Sequence, residues 1–244
     1  LFSNLKTHEL ARGVLPYSVN AEQWVDGLNQ SRALALPAFP SETGGRKTTS
    51  IGFRRKGVWE MPEGTVLLKT LSLESIEGDP ESRRHVETQI LTLQDEDWAA
   101  YVYKWNESQT DAVLVEEAGE DVSLSIRTPS GIRKQAWRHA GRAECMFCHS
   151  RAAGFALSMN TLQMNRFHNY AGKPDNQLRV FDHLGLFTDD WAGETRKVIR
   201  SEVIKDQELD QKSADDHVKE LFGGSRAYPH PRSDRLAHDP ETHD

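Results

Sequence analysis

Thr65-Val66-Leu67-Leu68-Lys69-Thr70-Leu71-Ser72-Leu73 is an apolar run framed by two turn signals, Pro62-Glu63-Gly64 before it and Gly78-Asp79-Pro80 after it. In an extended chain Leu67, Lys69, Leu71 and Leu73 share one face, and Val66, Leu68 and Thr70 share the other. The run therefore reads as a strand, and Lys69 sits in an apolar setting whichever face is buried. Burying an unpaired ammonium is costly, so the lysine must be paired, neutralised or coordinated, and desolvation favours its neutral form. An ion pair with Glu87 or Glu74 is the plain expectation; a bond to a cofactor is the other.

Outward from this run the same grammar continues. Thr48 to Arg54, Val86 to Leu93, Trp98 to Trp105, Ala112 to Glu116, Val122 to Ile126 and Ile132 to Trp137 are short runs rich in β-branched and aromatic residues. Hairpin-length links with no helical pattern between them predict an antiparallel sheet. The fold class expected is mainly β, of the α+β kind: an antiparallel sheet domain followed by a motif-bearing segment and helices. Residues 1–47 read as an irregular arm, 48–137 as the β core and 138–190 as the motif with short helices. In the latter, Asn160 is placed to cap a helix carrying Leu162, Phe167 and Tyr170, and Leu178, Phe181, Leu184, Leu186 and Phe187 are expected to seal the domain. Residues 191–244 read as a charged helical extension, with helices near Val198 and after Ser213, ending in a linker-like tail.

The 244 residues carry 37 acidic and 30 basic side chains, a net charge of -7. That balance argues against nucleic acid as the main partner. No apolar run approaches the roughly 18 to 20 residues of a membrane span.

Both cysteines of the chain lie in Cys145-Met146-Phe147-Cys148-His149. Cys-x-x-Cys-His is the attachment signature of a c-type haem: each thiol adds across a vinyl group and the adjacent histidine becomes the proximal iron ligand. Chance produces this arrangement on the order of a few times in ten thousand, so the signal is strong. The competing readings are a dithiol or disulfide and a metal centre without haem. A zinc site needs four ligands, and no further cysteine exists to help supply them. One haem c, tethered by Cys145 and Cys148 with His149 on the iron, is the expected cofactor. For the sixth iron position the candidates are Met159 and Lys69, with Met164, His85, His139, His168 and His183 behind them. Tyr101 and Tyr103, on one face of their strand with Trp105, are candidates to line the pocket, against the plainer reading of aromatic packing.

Several stretches outside the motif bear a resemblance. Gly13-Val14-Leu15-Pro16-Tyr17-Ser18-Val19-Asn20 with Trp24 to Gly27, Met61 to Thr70, Arg84 with Val86-Glu87-Thr88, Tyr103-Lys104-Trp105-Asn106 with Gln109 to Ala112, Arg142 to His149, Asn160-Thr161 with Gln163 to Asn165, and Asn176-Gln177-Leu178 together resemble a family of bacterial diheme c-type cytochromes, frequent in planctomycete multidomain proteins. The likeness covers about residues 5 to 190. It implies extracytoplasmic, periplasmic electron transfer beside a redox partner or a fused dehydrogenase or second cytochrome domain. The chain departs from the family pattern in having one haem motif, and it is expected to be a piece of a longer redox protein. The Pro62-Glu63-Gly64-Thr65 strand with Lys69 is also similar to small β-sheet c-type cytochromes with a lysine-crosslinked haem. Electron transfer is thus the leading expectation, and a haem enzyme or gas-binding domain with an open distal site is the alternative.

Overall fold

The computed structural model describes residues 1–40 and 46–188. Along the chain come β1 (Phe2–Asn4), β2 (Glu9–Leu10), β3 (Val14–Tyr17), β4 (Asn29–Ala35), β5 (Ala38–Pro40), β6 (Arg46–Thr48), β7 (Val66–Glu74), β8 (Arg83–Gln94), β9 (Asp97–Trp105), β10 (Ala112–Leu114), β11 (Glu120–Thr128), β12 (Gly131–His139), α1 (Arg142–Cys148), α2 (Thr161–Met164), β13 (Phe167–Tyr170), β14 (Lys173–Asn176) and α3 (Gln177–His183). The fold is mostly β. Its frame is a six-stranded sheet of order β10-β9-β8-β7-β4-β3, antiparallel throughout.

Local chemistry sets this frame. β8 and β9 are joined through Asp95 and Glu96, whose φ values of 51° and 66° give the doubly left-handed turn that matches strand twist. Glu63 accepts the amides of both, at 2.7 and 3.2 Å, which pays for a conformation neither side chain favours. Gly64, at φ 80°, closes the turn that launches β7, with Thr65 N–H donating to the Pro62 carbonyl at 3.1 Å.

Register assigns the two faces. Leu15, Leu34, Leu67, Leu91 and Ala100 stand on one, and the segments 51–59 and 156–187 bury them beneath Phe53, Trp59, Met159, Met164, Leu178, Phe181 and Phe187. Val14, Ala33 and Leu68 stand on the other, under Phe2, Leu10 and Ala11. Gln177 stitches distant parts of this body together. Its fully buried amide accepts Ser18 N–H at 2.6 Å and donates to the carbonyls of Ser18 and Met164 at 2.9 and 3.1 Å.

Four expectations need correction. The N-terminal arm is in part integral sheet, since β3 and β4 are its last two strands; Pro16 is tolerated because β3 is an edge. Thr48 to Arg54 is not a strand beyond the end of β6: Ile51 and Gly52 make isolated bridges to Phe187 and Glu60. β11 and β12 form a two-stranded hairpin outside the six-stranded sheet, tied to the segment after β7 by an isolated bridge between Arg127 and Ile76. Asn160 does cap a helix, accepting Gln163 N–H at 3.0 Å, but α2 ends at Met164 and β13 and β14 follow as a hairpin. Two-residue alternation then buries Tyr170 and leaves Phe167 half in solvent, while Leu162 is exposed. The sealing residues Leu178, Phe181, Leu184, Leu186 and Phe187 are buried as expected. The expected helices near Val198 and after Ser213 and the tail lie outside the described residues. No helix among those described is long and apolar enough to cross a membrane.

On the second sheet face the His8 ring lies 3.4 Å from that of His85 and 4.2 Å from that of Trp105, centroid to centroid. Both nitrogens of His8 and Nδ1 of His85 are buried without a hydrogen-bond partner. Burial, then His8 and Arg83, push His85 down to about 4, and burial lowers His8 as well. Unfolding frees both rings to take up protons near the ordinary histidine value, so their contribution is present in full above about 6.5 and is lost as pH falls to about 4. Urea midpoints measured from pH 7 to pH 4 should therefore fall with acidification, and His85→Phe should flatten the slope. An equal slope in that variant would remove the histidine pair as its cause.

Candidate functional site

The approach to the Cys145-to-His149 motif is built by β12 and the start of α1. Gly141 caps the helix, and a Cβ there would stand 2.1 Å from the Glu117 carbonyl oxygen, so only glycine fits. Glu144 reaches back to the Gly141 amide at 2.7 Å and is gripped by Arg138 at 2.9 and 3.1 Å. Arg138 also donates to the Ala118 carbonyl at 2.8 Å and pairs with Asp121 at 3.2 Å. Arg138 first, and then the Gly141 amide, hold the Glu144 carboxyl below its usual range. The helix is thereby fixed to the β11–β12 hairpin before the first cysteine is reached.

Three residues apart on one turn, Cys145 and Cys148 lie toward the same side of α1. Both thiols are free, the first half-buried and the second exposed. Cys145 and Met146 pack against the main apolar cluster, whereas Phe147 is exposed. His149 ends the helix with its amide donating to the Cys145 carbonyl at 3.1 Å, and its Nδ1 lies 2.6 Å from the Phe155 carbonyl oxygen. A carbonyl can only accept, so the proton is on Nδ1 and the lone pair of the neutral ring is on Nε2. The loop that supplies this carbonyl is itself held tightly: Phe155 N–H donates to Ser150 O at 3.0 Å, its ring stacks on Trp98 at 6.5 Å, and Gly154 passes Val58 too closely for a Cβ.

Burial, then Glu87 and Glu144, push the Cys145 thiol up. A thioredoxin-like pair needs the reverse, a first thiol drawn toward thiolate. Among the described residues no group of three or more His, Cys, Asp or Glu side chains is placed to hold a metal ion. Two uncommitted thiols and one imidazole with a directed Nε2 are groups that would serve for two thioether bonds and one metal ligand.

The other sequence candidates divide between the two sheet faces. Lys69 stands on the face of Leu67 and Leu91, to which Cys145 and Met146 also pack. Met159 is fully buried in the same cluster, its carbonyl accepting Trp59 N–H at 2.7 Å. Tyr101 and Tyr103 pair with Ile90 and Thr88 and so lie on the opposite face from Lys69. Tyr101 is covered there by the Arg142 guanidinium, 4.9 Å from its ring centre. Register thus puts Lys69 on the face where Met159 and Cys145 pack and both tyrosines on the other, where Tyr101 meets the first residue of α1. Lys69 does not form the ion pair expected of it. Glu74 pairs with Arg83 at 3.1 Å, and Glu87 is bonded elsewhere.

Glu87 is the residue that sequence reasoning underrated. It is 1% exposed, with His139 Nδ1 at 2.6 Å, Trp137 Nε1 at 3.0 Å and Gln89 Nε2 at 2.6 Å. Its one signal is register, since Glu87 faces the buried Leu71 across β7 and β8. Comparison with protein-family models, with characterised proteins and with solved structures finds no match to this chain.

Glu87→Leu should orphan three donors at once, that of His139 fully buried and those of Trp137 and Gln89 partly so. Leaving buried donors unsatisfied costs about 1 to 3 kcal/mol each, and neighbouring effects do not add fully, so a loss of about 3 kcal/mol is expected in chemical denaturation. A loss within about 0.5 kcal/mol, the usual range for surface changes, would show that the cluster contributes little.

Proposed function

We propose that this chain carries one haem c, bound through Cys145 and Cys148 with His149 as proximal ligand, and that it transfers electrons in an extracytoplasmic compartment as a domain of a larger redox protein. The observation that carries the reading is the His149–Phe155 bond beside two uncommitted thiols. Metal-bound histidines are held in this way, with the far nitrogen donating to a carbonyl that fixes the ring and strengthens the near one as a donor. The likeness of residues 5 to 190 to bacterial diheme c-type cytochromes supports the same class. A redox protein or a fused dehydrogenase or cytochrome domain is the partner that class calls for.

Bound at this site, a haem supplies a one-electron ferric/ferrous couple. The protein's part is placement. The two thiols would hold the macrocycle to α1 and His149 Nε2 would bind the iron, with the Phe155 carbonyl keeping the imidazole from turning. Met146 and Cys145 press that edge onto the apolar cluster, which keeps water from it. Met159, in the same cluster, would be the candidate sixth ligand of the carrier reading.

Two measurements test this. Haem in the wild-type chain, produced with the extracytoplasmic attachment machinery, should survive acidified organic solvent, and haem in Cys145→Ala/Cys148→Ala should be extracted; retention of covalent haem in that variant defeats the assignment. The ferrous protein should give a low-spin spectrum unchanged by carbon monoxide. Immediate binding of the gas would favour the open-site enzyme or gas-binding reading instead.

A further inference from the structure

Lys69 faces Arg32 directly across β4 and β7, so two cations stand side by side in the middle of a buried sheet face. Like charges in direct cross-strand register repel, and the usual remedy is an acid at the next position. Here the nearby acids are committed. Glu22 takes the Arg32 guanidinium at 2.8 Å, while Gln30 supports the same group at 2.5 Å. Glu87, on the next strand, accepts from His139, Trp137 and Gln89. The row across the sheet reads Tyr17, Arg32, Lys69, Gln89 and Val102, and offers no carboxylate. No hydrogen bond or ion pair of the Lys69 ammonium occurs among the described residues. Its titration records the lack: burial and then Arg32 lower it, against weaker opposite pulls from Glu87 and Glu22.

A half-buried ammonium without a counter-charge, on the face that receives Cys145, calls for a carboxylate that the protein itself does not bring. Resting on the haem reading above, we infer that Lys69 is an anion-holding residue of the cofactor site and pairs with a propionate carboxylate of the attached porphyrin, with Arg32 reinforcing the positive field. Two properties of that partner fit. A porphyrin propionate is anionic and reaches beyond the ring, and it is held at a fixed distance once two thioethers have set the macrocycle. Gln89 and Tyr17 flank the pair with polar atoms at the same level of the sheet. Lys69 is on this account a positioning residue and not an iron ligand.

The test uses the haem-loaded full chain with Lys69→Gln, Lys69→Arg and Arg32→Gln, read by spectroelectrochemistry from pH 5 to pH 9. A cation beside the ring favours the electron-rich ferrous form, so Lys69→Gln should lower the midpoint potential while leaving covalent haem and the low-spin spectrum intact. The pH at which the potential begins to vary should rise, because the propionate loses the charge that keeps it ionised. Lys69→Arg should restore both, and Arg32→Gln should shift them in the same direction by less. An unmoved potential and pH profile in Lys69→Gln overturn the assignment, as does loss of the low-spin spectrum, which would make Lys69 an iron ligand. A wild-type potential that shifts with added acetate, with the shift abolished in Lys69→Gln, would place the carboxylate in solution and equally overturn it. Wild-type chain without covalent haem is a separate result, seen before any variant is made, and tells against the haem reading itself.

Discussion

A strand that is apolar on both faces has to be covered twice, and β7 imposes that requirement on everything around it. Leu67 and Leu71 point one way and Leu68 the other, all three buried. Each face takes its cover from a different part of the chain. The lighter one is closed by the N-terminal hairpin with Phe2 and Leu10; the heavier one needs the whole succession from Ala156 to Phe187 together with Ile51, Phe53 and Trp59. At about 25 cal/mol for each Å² of apolar surface withdrawn from water, the heavier side is where most of the stabilisation resides. The Cys145-to-His149 motif lies at the junction where the chain leaves the sheet to become that cover. Its position follows from the covering problem.

The parts of the fold visible in the sequence are those whose signal is local. β7, β8 and β9 could be read from period-two alternation and turn residues because a long strand flanked by turn formers has few alternatives. Asn160 is recognisable as the start of a helix for the same reason, a side-chain oxygen placed to accept an amide three residues on, whereas the same role of Asn176 is seen only in the structure. β3 and β4 were hidden because Pro16 and the small side chains Ala33 and Ala35 weaken the alternation that their neighbours across the sheet complete. Phe167 and Tyr170 fit a helical spacing by coincidence, and Ala171 and Gly172, both at positive φ, decide for a hairpin instead.

The site divides in the same manner. Cys145, Cys148 and His149 are contiguous, so their chemistry needs no fold to be seen. The Phe155 carbonyl that orients His149 has no side-chain signature at all, and Glu87 becomes meaningful only when register brings it to Trp137 and His139. Tyr101, Tyr103 and Lys69 carry no sequence mark of which sheet face each will take relative to the motif. Only the pairing of β8 with β7 and β9 separates the tyrosines from the lysine.

The amide of Gln177, which completes the hydrogen bonding of Ser18, ties together positions 159 residues apart. Nearly the entire described chain is a loop closed by that side chain, and loops of such span are slow to close because their contacts come after the entropy has been spent. A polypeptide emerging from the ribosome cannot form this tie until Gln177 has left the exit tunnel, long after the strands it steadies. Until then the edge strand β3 lacks its partner on that side and the heavier sheet face stands open to solvent. In order of synthesis the strands of the sheet and the thiols of α1 therefore precede the segment that closes over the face beside them.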